Sequence, residues 1–211
     1  MVSSTSASRT DFSRRGALGL LAAGIAAPAL GATGITIAKV DPKGDVRPEL
    51  LKQAFEAAAA HKFKARNRIT IVDFKPHSSK PRLHVVDLKT GAVTSMLSAH
   101  GRGSDKLHDG FATVFSNLDG SGASSLGAYR VLGMGNGAKH GPNLLLDGLD
   151  SSNNAARERA IIIHSAWYAA PDRVKEWGKM GRSNGCFVTC DADRDQLFTL
   201  LEPDSLLFAG V

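Results

Sequence analysis

The chain has 211 residues, of which 43% are hydrophobic and 22% are charged, and its formal net charge is +6. This length and composition allow one sizeable hydrophobic core and exclude a disordered or repetitive protein. The positive charges are neither clustered nor interleaved with aromatic residues, which argues against a nucleic-acid-binding groove.

Residues 1–31 are predicted to be a secretion signal and not part of the folded domain. Arg14 and Arg15 precede a run of small and apolar residues at 16–27, and the small residues after Pro28 are typical of a cleavage site. The run is shorter than the about 20 residues that span a bilayer. The paired arginines favour the twin-arginine route. We therefore expect an exported protein, located in the periplasm or cell envelope, whose mature form has no stable membrane span.

The mature chain is predicted to be mainly β with flanking helices. Residues 32–65 are expected to hold a linker and a helix that runs from Pro48 to about Lys62. The apolar residues of this segment repeat at helical spacing and form one face, at Leu50, Leu51, Ala54, Phe55 and Ala58. Residues 66–211 are expected to form the main domain.

Short strand-like runs dominate this main domain. They lie at 69–74, 83–88, 92–97, 112–115, 128–132, 144–149, 161–164 and 205–208. Many short strands separated by Gly-rich turns indicate a β sandwich or a partly closed barrel.

Two local signals refine this pattern. The glycine-rich stretch 133–137 is not followed by a helix, so it predicts a hairpin turn at Asn136 and Gly137 and not a nucleotide loop. Asp191 is expected to cap a short helix from Ala192 to about Glu202, which Pro203 ends.

A cysteine beside a glycine is the first candidate for chemistry. Cys186 follows Gly185, which can adopt a positive φ at no steric cost, and precedes a short apolar run. The amides of these two residues could point at one spot, as acyl transfer requires for the oxygen that becomes negative. The alternative is a small hydrophobic cysteine packed at the start of a strand.

A histidine offers a base for this thiol. His164 ends an apolar, β-branched run at 160–163, where a strand opens into a loop. The pKa of imidazole lies near neutrality, so His164 could take the thiol proton and make thiolate available at neutral pH. The alternative is a core histidine whose hydrogen bonds are satisfied at a strand end.

These residues resemble the catalytic signature of the YkuD-type L,D-transpeptidases, in which a His at a strand end precedes Ser-x-Gly-Cys by about twenty positions. The match is closest to the branch called murein L,D-transpeptidase catalytic domain-like, and it covers about residues 66–209. The further stretches that carry it are 82–88, 98–104, 115–117, 120–121, 124–127, 154–160 and 181–183.

The resemblance implies a YkuD-like catalytic domain with a nucleophile loop followed by a short helix. It implies Cys186 as the nucleophile, His164 as the base and the backbone carbonyl of Ser165 as the group that orients the base. The expected reaction forms a thioester on Cys186 from a peptidoglycan tetrapeptide stem, releases D-Ala and transfers the acyl group to an amine. No cofactor or metal is implied, and a carbapenem is expected to acylate Cys186.

The remaining site residues surround this pair. The backbone amides expected to hold the oxyanion are those of Asn184, Gly185 and Cys186. Arg182 and Ser183 are the candidates for binding the carboxylate and backbone of the donor. His100 and His140 each precede a glycine, so they are expected either to line the donor pocket or to cap turns.

The chain departs from the commoner pattern of the family at two places. Asn184 stands where Ser-His-Gly-Cys would have a second His, and Phe187 with Val188 stands where this branch often has Pro-Ala. Both changes fall in the expected substrate wall, so they affect the choice of acyl acceptor more than the chemistry.

Other functions fit the same residues less well. Residues 181–185 match Gly-x-Ser-x-Gly, but a serine hydrolase of that type needs a His after the Ser, and the last His here is His164. The histidines show no close-spaced pair for zinc. Hydrolysis at the same site would make the protein an L,D-carboxypeptidase, and a non-catalytic wall-binding module would leave Cys186 and His164 incidental.

The second cysteine is not expected to take part. Cys190 is four residues from Cys186, and in an extended strand this spacing is about 13 Å, beyond disulfide reach. We expect Cys186 to be free and reactive and Cys190 to be buried or half-buried without a mechanistic role.

Overall fold

The computed structural model describes residues 40–41, 43–64 and 67–211. The predicted signal at 1–31 lies outside the described residues. Eight strands make up one mixed sheet, in the order β3-β2-β1-β8-β4-β5-β6-β7. The strands are β1 (Arg68–Asp73), β2 (Leu83–Asp87), β3 (Val93–Met96), β4 (Gly127–Gly137), β5 (Gly141–Gly148), β6 (Ile162–Ser165), β7 (Phe187–Thr189) and β8 (Leu206–Gly210).

Two strand pairs are parallel and the others are antiparallel. The parallel pairs are β1 with β8 and β6 with β7. Parallel neighbours need a long crossover connection. The connection between β6 and β7 contains a 3-10 turn (Trp167–Ala169) and helix α2 (Pro171–Trp177).

The two edges of the sheet approach each other without forming a closed barrel. The segment after β3 meets β7 and the loop before it, through bridges between Ala99 and Val188 and between Gly101 and Ser183. The amide of Ala99 donates to the carbonyl of Val188 at 2.8 Å. The prediction of a mainly β fold with flanking helices is therefore confirmed, and the sheet is curled rather than closed.

The curl encloses the larger of two apolar cores. Phe74, Tyr129 and Phe187 are fully buried there, with ring centroids 6.0 Å apart for Phe74 and Phe187 and 5.3 Å apart for Tyr129 and Phe187. Such aromatic pairs add to the free energy gained by burying apolar area.

The second core lies between the outer face of the sheet and helix α1 (Pro48–Ala60). The helix begins at a proline, whose fixed φ suits the first helical position, and it buries the five apolar residues that the sequence predicts. It ends two residues earlier than predicted, because Lys62 adopts a φ of 54°. Helix α3 (Asp191–Leu200) follows β7, and its buried Leu197 packs in the first core.

Two local predictions, of a strand and of a hairpin turn, were wrong. Residues 112–115 form no strand, because the amides of Thr113 and Val114 both donate to the carbonyl of Ser104. Asn136 and Gly137 end β4, and the hairpin turn lies at 138–140 because the register pairs Gly137 with Gly141.

The helix after the nucleophile segment begins one residue earlier than predicted. Asp191 is the first residue of α3, and Cys190 occupies the N-cap without a capping side-chain bond. The last strand also ends later than predicted, at Gly210. None of the described helices is long and apolar enough to span a bilayer.

Replacing Gly101 with alanine tests the close packing at the curled edge. The added Cβ would lie 2.3 Å from the carbonyl oxygen of Gly122 and 2.8 Å from the amide of Ser124. We expect Gly101→Ala to lower the free energy of unfolding by about 1–3 kcal/mol, measured by urea unfolding. The control is Gly137→Ala, whose Cβ would meet only Asn143 Nδ2, at 3.6 Å. Equal stability of Gly101→Ala and the unchanged protein would contradict this packing.

Candidate active site

The nucleophile loop, residues 181–186, leads into β7 and ends at Cys186. Gly185 has a φ of 118°, a conformation that favours glycine, and its ideal Cβ would lie 2.6 Å from the carbonyl of Ala123. The Cys186 side chain is largely buried, with the residue 8% exposed. Its Sγ lies 3.6 Å from the carbonyl oxygen of Ala160. Cys186 and Cys190 are both free thiols.

Ser183 organises the loop from within. Its hydroxyl donates to the carbonyl of Cys186 at 2.8 Å and accepts from the amide of Gly185 at 3.0 Å. Its own amide donates to the carbonyl of His100. Of the three amides predicted to hold the oxyanion, that of Gly185 is therefore engaged inside the loop.

Two backbone amides lie close to the sulfur of Cys186. The amides of Ile162 and of Cys186 itself favour the thiolate and oppose the effect of burial on its pKa. Sequence reasoning missed Ile162 because an amide on a strand two residues before His164 has no side-chain signal. The parallel register of β6 and β7, which pairs Ile163 with Phe187, brings it beside Cys186.

His164 lies on β6, next to the strand that follows Cys186. Its Nδ1 lies 2.9 Å from the carbonyl oxygen of Ser165, so Nδ1 carries the proton and Nε2 is left as an acceptor. The hydroxyl of Ser165 donates to Asp191 at 2.6 Å and receives a bond from Arg194. The start of α3 thus fixes the residue that orients the histidine.

The thiol and the imidazole are both neutral at rest. Burial raises the pKa of the Cys186 thiol above its ordinary value. Burial also lowers the pKa of His164 to about 4, and the nearby His140 and Lys139 lower it further, against the opposing effect of the Ser165 carbonyl. The expectation that the pair supplies thiolate at neutral pH is therefore corrected, since desolvation disfavours both charged forms.

A cavity of about 700 Å³ opens beside Cys186. The end of the β4–β5 hairpin, the start of β6 and the nucleophile loop line it, and Asn184 is on its wall. Its charged lining residues are Lys139 and Arg159, and no carboxylate side chain is among the described residues that line it. The cavity therefore favours an anionic group.

Arg159 is held rigidly at this cavity. Its guanidinium donates to the carbonyl oxygens of Ser116 at 2.8 Å and Ala123 at 2.6 Å. It also favours the thiolate of Cys186. The sequence offered one signal for this residue, a charged side chain directly before the buried run that ends in His164.

His140, in the turn between β4 and β5, packs against His164, the predicted base. Its ring centroid lies 3.9 Å from that of His164, at an interplanar angle of 33°. His140 lines the cavity, as one of its two predicted roles requires, whereas His164 is only 1% exposed. The ring of His140 thus lies against the predicted base.

The three predicted substrate-binding residues do not line this cavity. His100 is 1% exposed, accepts a bond from Arg82 at Nδ1 and donates from Nε2 to Asp105. Arg182 donates to the backbone carbonyl of Asp105, and Ser183 is used within the loop. The geometry gives these side chains a role in holding the loop, and their contact with substrate stays a prediction.

The histidines considered as zinc ligands are dispersed. His84 lies by the hydroxyl of Ser95, and His108 lies by the carbonyl of Met180. Across residues 40–41, 43–64 and 67–211, no group of three His, Cys, Asp or Glu side chains is placed to hold a metal ion.

The low pKa of His164 makes stability depend on pH. Its pKa is about 4 when folded against 6.5 ordinarily, so the unfolded chain binds more protons between these values. The free energy of unfolding is expected to fall as pH is lowered from 6.5 toward 4, by up to about 1.4 kcal/mol per pH unit from this residue. In His164→Gln the fall should be less steep, as measured by urea unfolding across this range.

Burial also lowers the pKa of His100, to about 4, and the pKa values of His84 and His140, so these residues contribute to the pH dependence that remains in His164→Gln. Equal steepness in His164→Gln and the unchanged protein would contradict the buried, neutral state of His164.

Comparison with known proteins identifies the family. The sequence model described as L,D-transpeptidase catalytic domain, of the YkuD type, matches residues 42–209, most of the chain. No curated protein matches the sequence.

Solved structures of low sequence identity resemble parts of the fold. An L,D-transpeptidase from Stackebrandtia nassauensis has 13% identity and a TM-score of 0.43, over 82% of this chain and 74% of that one. One from Mycobacterium smegmatis has 11% identity and a TM-score of 0.42, over 69% and 59%. L,D-transpeptidase 3 from Mycobacterium tuberculosis, in complex with a faropenem-derived adduct, has 13% identity and a TM-score of 0.36, over 69% and 60%.

The chain spans less than two thirds of the length of the last two of these proteins. With TM-scores this low, the assignment depends on the match of the sequence model alone. That match covers well over half of the residues, and the chain therefore belongs to the family of YkuD-type L,D-transpeptidase catalytic domains.

Proposed function

We propose that this protein is an exported cysteine L,D-transpeptidase that acts on the tetrapeptide stems of peptidoglycan. The observation that carries the proposal is that Cys186 lies directly before β7, while His164 lies on the neighbouring parallel strand β6. The bond from His164 to the carbonyl of Ser165 leaves Nε2 as the acceptor for a proton. Membership of the family supports the class of substrate.

In the first half of the reaction, Cys186 takes the acyl group. Its sulfur attacks the carbonyl between the third residue of the stem and the terminal D-Ala, while His164 accepts the thiol proton. Because both groups are neutral at rest, this proton moves during the attack and not before it. The amides of Asn184 and Cys186 are the remaining candidates for holding the oxyanion, since that of Gly185 bonds Ser183. D-Ala leaves with the proton from His164.

In the second half, an amine of another stem attacks the thioester and His164 takes the proton of that amine. The carbon–nitrogen bond forms, the carbon–sulfur bond breaks, and the thiol of Cys186 is restored. Water in place of the amine gives hydrolysis, which is L,D-carboxypeptidase activity at the same site.

The charge of the cavity supports a stem peptide as donor. A tetrapeptide stem ends in a free carboxylate beside the bond that breaks, and Lys139 and Arg159 are the charged side chains on the cavity lining. We assign them to this carboxylate in place of Arg182, which does not line the cavity.

The domain organisation is part of the same proposal. Residues 1–31 act as the signal for export and residues 66–211 carry the catalytic domain. Helix α1, from the preceding segment 32–65, buries its apolar face on the sheet and so contributes to the stability of the domain.

Replacing the nucleophile tests the reaction directly. Mature protein is incubated with disaccharide tetrapeptide, and the products are analysed by mass spectrometry. We expect loss of D-Ala with new cross-linked dimers, and a decrease of at least about 10³-fold in Cys186→Ala. The matched control is Cys190→Ala, which removes the other thiol and should keep the activity.

The products of this incubation distinguish a transpeptidase from a carboxypeptidase and from a non-catalytic module. Loss of D-Ala without dimers would identify a carboxypeptidase. An unchanged substrate with correctly folded protein would contradict the proposal and favour a wall-binding module or another acyl donor.

Exposure to a carbapenem tests the nucleophile without a natural substrate. We expect the intact mass of the protein and of Cys190→Ala to rise by the mass of one drug molecule, since the ring opens onto the sulfur without a leaving group. Cys186→Ala should remain unmodified. An unmodified wild-type protein after prolonged exposure would count against acylation of Cys186.

A further inference from the structure

Asn143 carries a buried oxygen that has no hydrogen-bond partner among the described residues. The residue is 2% exposed, and its side-chain Oδ1 is unpaired. A buried amide oxygen without a donor costs free energy, so such an atom in a folded protein calls for an explanation. Asn143 lines the cavity beside Cys186, which makes a substrate the natural source of a donor.

The orientation of this amide follows from its other contact. Asn143 Nδ2 donates to the carbonyl oxygen of Gly141 at 2.8 Å. The reversed amide would put two oxygens against each other, so the nitrogen must face Gly141. The unpaired atom is therefore the acceptor oxygen.

The residue opposite this oxygen on the neighbouring strand has no side chain. Asn143 pairs with Gly135 across the β4–β5 hairpin, and a Cβ at Gly135 would lie only 2.7 Å from Oδ1. Any side chain at position 135 would thus occupy the place that a donor needs. Asn143 and Leu145 line the cavity, whereas Leu144 between them faces the core, as the alternation of a strand requires.

The sheet register places Asn143 beside the base. Leu144 pairs with Ile163 across the antiparallel strands β5 and β6, so Asn143 and His164 are the next residues along the two strands. Partners in one row of a sheet project from the same face. Cys186 lies two residues before Val188, the residue that the parallel register pairs with His164.

We propose that Oδ1 of Asn143 accepts a hydrogen bond from the primary amine of the acyl acceptor and orients that amine for attack. The inference rests on the proposed acyl transfer by Cys186. The acceptor nitrogen has to come within reach of His164, and Asn143 is the unpaired polar side chain in the same row.

The two hydrogens of the amine then have separate partners. One proton passes to His164 as the carbon–nitrogen bond forms, and His164 returns it to the sulfur as the carbon–sulfur bond breaks. The other hydrogen stays on nitrogen, bonded to Asn143 Oδ1, and remains in the amide product. Water is small and abundant and reaches the thioester without this orientation, so Asn143 favours transfer over hydrolysis.

The test measures how an acyl-enzyme partitions between an amine and water. p-Nitrophenyl acetate acetylates the thiol of Cys186, and glycinamide competes with water for the acetyl group. Mass spectrometry gives the ratio of N-acetylglycinamide to acetate. In Asn143→Leu, which removes the acceptor, and in Gly135→Ala, which blocks it, we expect this ratio to fall about tenfold. The rate of acetylation should change by less than about threefold.

The matched control is Gly137→Ala, whose Cβ meets Asn143 Nδ2 at 3.6 Å and leaves Oδ1 open, so its ratio should equal that of the wild type. An unchanged ratio in both test variants would overturn the inference. So would equal losses of acetylation and aminolysis, which would place Asn143 in the first half-reaction. Gly135→Ala keeps the side chain of Asn143, so it decides the question should Asn143→Leu fail to fold.

The experiment separates this inference from the proposed function. Acetyl transfer needs no stem peptide. If the wild type fails to react with stem peptides while both variants still lose aminolysis of the acetyl-enzyme, the result would support the role of Asn143 and contradict the peptidoglycan assignment. A wild type that p-nitrophenyl acetate does not acetylate at Cys186 would overturn both.

Discussion

The hydrogen bonds between residues 99–102 and residues 183–188, the segment that contains Cys186, hold the site together. Ala99 donates to Val188, Ser183 donates to His100, and Arg102 donates to Ser183, with lengths of 2.8 to 2.9 Å. These bonds join the two edges of one curled sheet. Without them β7 would be a three-residue edge strand held only by β6, and the position of the nucleophile would depend on a single short ladder.

A buried network of Arg82, His100 and Asp105 supports these hydrogen bonds. Arg82 is fully buried, which lowers its pKa to about 9, and it donates to the carbonyl of Ser98 and to Nδ1 of His100. Because arginine only donates, His100 must accept at Nδ1 and carry its proton on Nε2, toward Asp105. The network thus selects one tautomer of His100. It also holds in place the backbone carbonyl of His100, which accepts a hydrogen bond from the amide of Ser183.

Sequence reasoning could propose Cys186 and His164 because each borders an apolar run, which Cys186 precedes and His164 ends. It could not show that β6 and β7 are neighbours, since their parallel pairing depends on a crossover of about twenty residues. Asn143 and the amide of Ile162 were missed because their significance depends on register across three strands. The hairpin turn was misplaced because a bulge between Val131 and Gly133 and the pairing of Gly137 with Gly141 extend β4 past the Asn-Gly signal.

The neutral state of Cys186 protects the protein between turnovers. Peroxides and disulfides react with thiolates, and a thiol whose pKa is raised by burial offers little of that form. In the proposed mechanism, the sulfur becomes a strong nucleophile only while His164 accepts its proton. The burial that disfavours the thiolate of Cys186 therefore also protects this side chain from oxidation.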